Sequence, residues 1–167
     1  AYLGDPGAAA ALDAIEPRAA VAGQHNQIGA WMTTIALIRG NALLGRRDKC
    51  AAHHDAAVQL HGQGTLLAWH RGLVMLYAGI AAAAGGAWSQ AEAHFDYAQG
   101  EVEAHGLTQQ APELLFWRAQ MLMWREEGDD RLKARELLAR AAAAYRRLGM
   151  GGHVRLAEQR AVEAMDA

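Results

Sequence analysis

Along this chain apolar residues recur every three or four positions, and glycines interrupt them at intervals. In GGAWSQAEAHFDYA the glycines Gly85-Gly86 are followed by Ala91, Phe95 and Ala98, at spacings of four and three. That is the period of one helix face, and strict two-residue alternation is hard to find anywhere. The stops are as regular as the faces. Asp5-Pro6 opens a helix with a cap and a first-turn proline. Gly45, Gly62 with Gly64, Gly85-Gly86, Gly106, Gly128 and Gly149 end helices, and Pro112 sits in the first turn of another. The pattern predicts eight helices, over about 6–21 (with Pro17 as a break point), 26–44, 48–61, 65–84, 87–105, 112–127, 130–148 and 152–165. The connections are short, so consecutive helices are expected to be antiparallel neighbours.

Composition agrees with this all-α reading. Alanine, the best helix former, is abundant, and the poorer β-branched formers are few. The helices also repeat. Gly40 precedes Ala52 by 12 residues, and Gly79 precedes Ala91 by 12. The two units superpose with a period of 39, while Ala91 to Ala134 and Ala9 to Ala52 are each 43. A third unit carries Trp117, Trp124, Gly128, Ala134, Leu138 and Ala141.

These residues bring a family into view. Gly79, Gly86, Ala91, Phe95 and Ala98, then Trp117, Gly128, Ala134 and Ala141, and more loosely Gly40, Asn41 and Ala52, resemble the signature of the tetratricopeptide repeat. The closing proline of that signature is missing after the last three units. The resemblance implies an α-α superhelix, a solenoid of antiparallel helix pairs. It divides the chain into a partial repeat over 1–24, repeats over about 25–64, 65–108 and 109–149, and a capping helix over 150–167. The expected packing sets Gly79 against Ala91, small against small, with Phe95 filling the space between repeats. The period exceeds the usual 34 residues. In that respect the chain resembles the long repeats of bacterial LuxR-type regulators of the maltose-activator class and of cyclase- or ATPase-linked signalling proteins. The ending ARELLARAAAAYRRLGMGGHVRLAEQRA resembles their closing repeat. The chain opens at AYLGDPG without a methionine, and an excised part of a longer protein is expected.

The 167 residues suffice for one domain with a core of its own. A net charge of -2 and 20% charged residues exclude a generally polycationic chain. The charge is nevertheless uneven. Between Gly72 and Trp117 there is no lysine or arginine, whereas Arg131 to Arg160 carries eight basic residues against Glu136 and Glu158. No recognition helix accompanies the basic end, so a solvated outer face is preferred and nucleic acid is not an expected partner. No apolar run reaches the length of a membrane span, and no membrane partner is expected. Cys50 is the only cysteine, which excludes a disulfide framework and points to a reducing, cytoplasmic setting.

Candidate chemistry is sparse. Cys50, His53 and His54 can share one helix face and would suit zinc or copper, with His61 or His94 as a further ligand. Three ligands on one helical turn cannot close a tetrahedral site, and a buried cysteine beside two surface histidines is the preferred reading. GQGT at Gly62 to Thr65 lacks the lysine and preceding strand of a phosphate loop. Glu126-Glu127 and Asp129-Asp130 straddle Gly128, where capping explains them. Trp88 and Trp117 occupy structural positions, while Trp31 and Trp69 fit either core or exposed anchors. No enzyme motif and no cofactor is expected.

In tetratricopeptide arrays the first helix of each unit lines the concave surface. The resemblance therefore implies a groove of Leu37, Asn41 and Leu44, then Leu76, Ile80 and Ala83, then Arg118, Leu122 and Arg125. Asn41 stands nearly alone among apolar positions, which argues against a clamp for a peptide's terminal carboxylate. The expected function is non-catalytic binding of a protein, a peptide or another domain of the same chain. Replacing Leu76 and Ile80 with aspartate is expected to abolish binding without unfolding. A small-effector sensor coupled to a neighbouring ATPase, cyclase or DNA-binding domain is the alternative, and self-association is a further option.

Overall fold

A computed structural model describes residues 5–62 and 74–166 of the chain. Among these residues every regular element is helical. The helices are α1 (Ala8–Ile15), α2 (Ile28–Leu43), α3 (Arg47–Ala51), α4 (His54–Gly62), α5 (Val74–Ala84), α6 (Trp88–Ala104), α7 (Ala111–Arg125), α8 (Asp130–Arg147) and α9 (Gly151–Asp166). The predicted helix start at 65, Trp69 and most of the GQGT turn lie outside the described residues, as do positions 1–4 of the expected partial repeat.

The predicted stops act as local backbone chemistry demands. At Gly86 the backbone enters the left-handed region with φ of 78°. The Ala87 N–H then donates to Ala82 O at 3.0 Å and the Gly86 N–H to Ala83 O at 3.1 Å. Two carbonyls orphaned at the end of α5 are thereby satisfied. The same long bond recurs from Arg46 to Asn41 O (2.9 Å), from Leu107 to Val102 O (2.9 Å) and from Met150 to Tyr145 O (3.0 Å). Pro17 acts as the expected break, since α1 ends at Ile15 and Glu16–Arg18 form a single 3-10 turn.

Two boundaries differ from expectation. The helix expected over 48–61 is broken at Ala52 and His53 into α3 and α4. The helix expected to reach 127 stops at Arg125, because Glu126 takes a left-handed φ of 56°. Gly128 lies beyond this stop.

Most helices pack on their successors, most extensively α7 on α8, α8 on α9 and α5 on α6. The first helices α2, α5 and α7 also touch in series. Helix α5 is buried at every position from Val74 to Ala84. Its small residues let neighbouring helices approach closely. At Gly79 an added Cβ would stand 2.7 Å from Cδ1 and Cε1 of Phe95. The aromatic ring itself therefore occupies the space that glycine leaves. Phe95 is the nearest neighbour of that position, and Ala91 and Ala98 are fully buried.

Arginines bind one unit to the next. Arg47 at the start of α3 donates from Nε to Ala84 O at the end of α5 (3.1 Å). Its guanidinium lies 5.8 Å from the Trp88 ring and 5.3 Å from the Trp124 ring. Arg46 reaches back to α1, donating to Ala9 O at 3.1 Å and pairing with Asp13.

Candidate binding site

One buried carboxylate joins three of the helices. Glu113, in the first turn of α7, is 8% exposed. Its Oε1 accepts from Trp117 Nε1 at 2.9 Å and faces Arg39 Nη2 at 3.0 Å. Its Oε2 accepts from Tyr145 OH at 2.9 Å. One side chain thus ties α2, α7 and α8 together. His153 of α9 lies on Tyr145 with ring centroids 5.0 Å apart, and burial holds its imidazole below the usual histidine range. Arg160 of α9 reaches Leu43 O of α2 at 3.4 Å. Side chains of α7 and α9 therefore both reach α2.

Most of the expected groove residues are buried. Leu37, Leu76 and Ile80 have no exposed surface, and Ala83 and Asn41 are 1% exposed. Leu122 is 7% exposed, and Leu44 is half-buried. An aspartate at Leu76 or Ile80 would place a carboxylate in the core, so that substitution reports on folding rather than on binding. Neither amide atom of Asn41 has a hydrogen-bond partner among the described residues. Arg118 and Arg125 are engaged elsewhere. Arg118 pairs with Asp96 at 2.6 Å and lies over the Phe95 ring. Arg125 donates to both carboxylate oxygens of Asp130 at 2.8 Å and to Glu92 at 2.7 Å. Six of these nine residues are buried, and the nine present no common exposed surface.

The open cavity lies nearby, on another face of α2. A pocket of about 560 Å³ opens between α1, α2 and α5. Leu12, Met32, Ile35, Ala36 and Leu43 make it apolar, and Arg39, Tyr77 and Asp5 are its polar points. Ile28, Met32 and Ala36 are all exposed and spaced by four, so an apolar stripe runs along α2 into the pocket. Tyr77 is 3% exposed, and burial raises its phenol above the ordinary tyrosine range. No family model, curated protein or solved structure matches this chain. The pocket is thus read from its own geometry.

The cysteine and histidines of α3 and α4 are separated by the helix break. In one continuous helix Cys50 and His54 would share a face. The turn at Ala52–His53 instead sends Cys50 against Ile80 O of α5 (4.0 Å) and His54 towards His94 of α6. Burial pushes the Cys50 thiol up to about 12, so the thiolate needed for a metal bond is disfavoured. His53 is 8% exposed, its Nε2 has no partner among the described residues, and burial lowers its basicity. Among the described residues no group of three or more His, Cys, Asp or Glu is arranged to hold a metal ion. No helix among them is long and apolar enough to cross a membrane. Trp31, ambiguous from sequence, belongs to the core at 5% exposed.

Sequence reasoning missed Glu113 as a hub, and the Met32–Ala36–Arg39–Leu43 face of α2. Glu113 had one legible signal, the Trp117 indole four residues on in the same helix. Its other partners come from α2 and α8 and leave no local trace.

Proposed function

We propose that this chain is a non-catalytic binding module of the tetratricopeptide type. In this reading it belongs to a larger bacterial regulatory or signalling protein and works in a reducing, cytoplasmic setting. Its partner is an apolar peptide or helix segment held in the pocket between α1, α2 and α5. The observation that supports this is the 560 Å³ apolar cavity continuous with the exposed stripe of Ile28, Met32 and Ala36. A helix that buries one side in the core and exposes apolar residues on another has surface left for a partner. A helical ligand would present side chains three and four apart to such a stripe.

Ala36 provides the test, because it is exposed and lines the pocket. A library of displayed random peptides would be selected on the purified chain. The enriched peptides are expected to carry apolar anchors at three- and four-residue spacing. Ala36→Trp fills the mouth of the cavity and should weaken them at least tenfold. Equal binding to the variant would overturn the assignment of the pocket. A small amphipathic effector is the second reading. The cavity volume lies in the range of small-ligand sites, and Arg39 places a cation in its lining. Selection of no peptide, together with a ligand-induced rise in melting temperature that Ala36→Trp removes, would favour the effector.

A further inference from the structure

Away from this pocket, α4 and α6 bring two imidazoles face to face. We propose that His54 and His94 form a two-histidine site for a borderline divalent metal ion such as Zn²⁺, at the seam between these helices. Their Nε2 atoms are 3.2 Å apart, with ring centroids at 5.4 Å. Two nitrogens on one zinc ion at about 2.0–2.1 Å, with a near-tetrahedral angle, stand about 3.3–3.4 Å apart. The separation of the two nitrogens thus matches what one shared ion requires.

The carboxylate beside the pair is placed to support this. Asp55 Oδ1 lies 3.0 Å from His54 Nδ1. A carboxylate accepting the Nδ1–H leaves the Nε2 lone pair of His54 free, which is the arrangement that orients metal-bound histidines. With that tautomer of His54, the bond between the two rings is donated by the Nε2–H of His94. When the ion binds, His94 carries its proton on Nδ1 instead, and both Nε2 lone pairs point at the metal. His54 keeps 17% of its side-chain surface exposed, so water has access to the remaining coordination positions. Cys50 faces the core and takes no part. The chain supplies two ligands, and the site is exchangeable and open to a donor from a partner. Imidazole nitrogens suit zinc, copper and nickel over calcium and magnesium.

The test is titration of the purified chain with Zn²⁺ alone, followed by calorimetry. Saturable binding of one equivalent is expected. Adding Zn²⁺ should raise the melting temperature, because the ligands come from separate helices. His54→Gln and His94→Gln should each weaken binding at least tenfold, and His25→Gln should leave it unchanged. Asp55 is 88% exposed, so Asp55→Ala keeps the fold and is expected to weaken binding about tenfold through loss of orientation. Circular dichroism confirms that each variant is folded. Absence of saturable binding, or binding that survives both histidine substitutions, would reduce the pair to an ordinary hydrogen bond and overturn the site.

Discussion

The ring of Phe95 lies where a Cβ on Gly79 would have to go, 2.7 Å from two of its carbons. A rigid ring cannot fold away as an aliphatic tip can. Gly40 has the same 2.7 Å approach, but to Leu12 Cδ1, the end of a flexible and half-buried side chain. Gly79→Ala is therefore expected to destabilise the chain by about 1–3 kcal/mol through overpacking, despite the better helix propensity of alanine. Chemical denaturation of Gly79→Ala, Phe95→Leu and the double variant measures this. The double variant should recover part of the loss, and a purely additive cycle would contradict the contact. Glu126 poses the opposite problem. A non-glycine residue at φ of 56° is strained, so Glu126→Gly should raise stability by about 1 kcal/mol. The ion pair of Glu126 with Arg131 is solvent-facing, and its loss subtracts only a few tenths of that. An unchanged or lower denaturation midpoint would show that the ion pair outweighs the strain.

Among the helices, the join of α6, α7 and α8 rests on charge. Asp130 is 2% exposed, its two oxygens face Arg125, and its Oδ2 also accepts the Glu127 N–H at 3.0 Å. The guanidinium hydrogen bond from Arg125 holds this carboxyl below the usual aspartate range. Removing it leaves a largely buried cation with Glu92 at 2.7 Å and the exposed Glu127 at 3.9 Å beside it. Asp130→Ala should therefore cost about 3 kcal/mol. The pH dependence follows from the direction of the shift. The stabilisation is fully present above the unfolded-state value of about 4. It is lost as pH falls through the lower folded-state value, because the unfolded chain takes up the proton first. Denaturation between pH 7 and pH 2 should show this acid-side slope in the native chain and a shallower one in Asp130→Asn. Equal slopes would mean that the pair contributes nothing to folding. The break between α3 and α4 acts at this scale too. By turning Cys50 and His54 to different neighbours, it replaces a one-helix ligand set with a pair of histidines shared between two helices.

At the scale of the molecule, the pocket and the core compete for the same two helices. Substitution at the exposed Ala36 should leave the melting temperature within a few degrees of the native chain while closing the cavity. Substitution at Leu76 or Ile80 should lower it sharply. The helices and most of their ends were legible in the sequence, because alanine propensity, glycine in the left-handed region and proline in first turns act through bonds a few residues long. The all-helical class and the burial of Ala91, Phe95, Ala98 and Trp117 follow from the same local period. The face that α2 turns to water was not legible. Helices α2 and α5 are apolar on nearly every side, so their sequences do not distinguish a side that meets another helix from a side that lines a cavity. That choice was made by the packing of α2 and α5 against other helices. Leu37, Leu76 and Ile80 are buried, while Met32 and Ala36 stand exposed at the open pocket. Local backbone preference determined the elements. Which of their apolar faces stayed uncovered was decided by long-range packing, since burial depends on what else arrives at a surface.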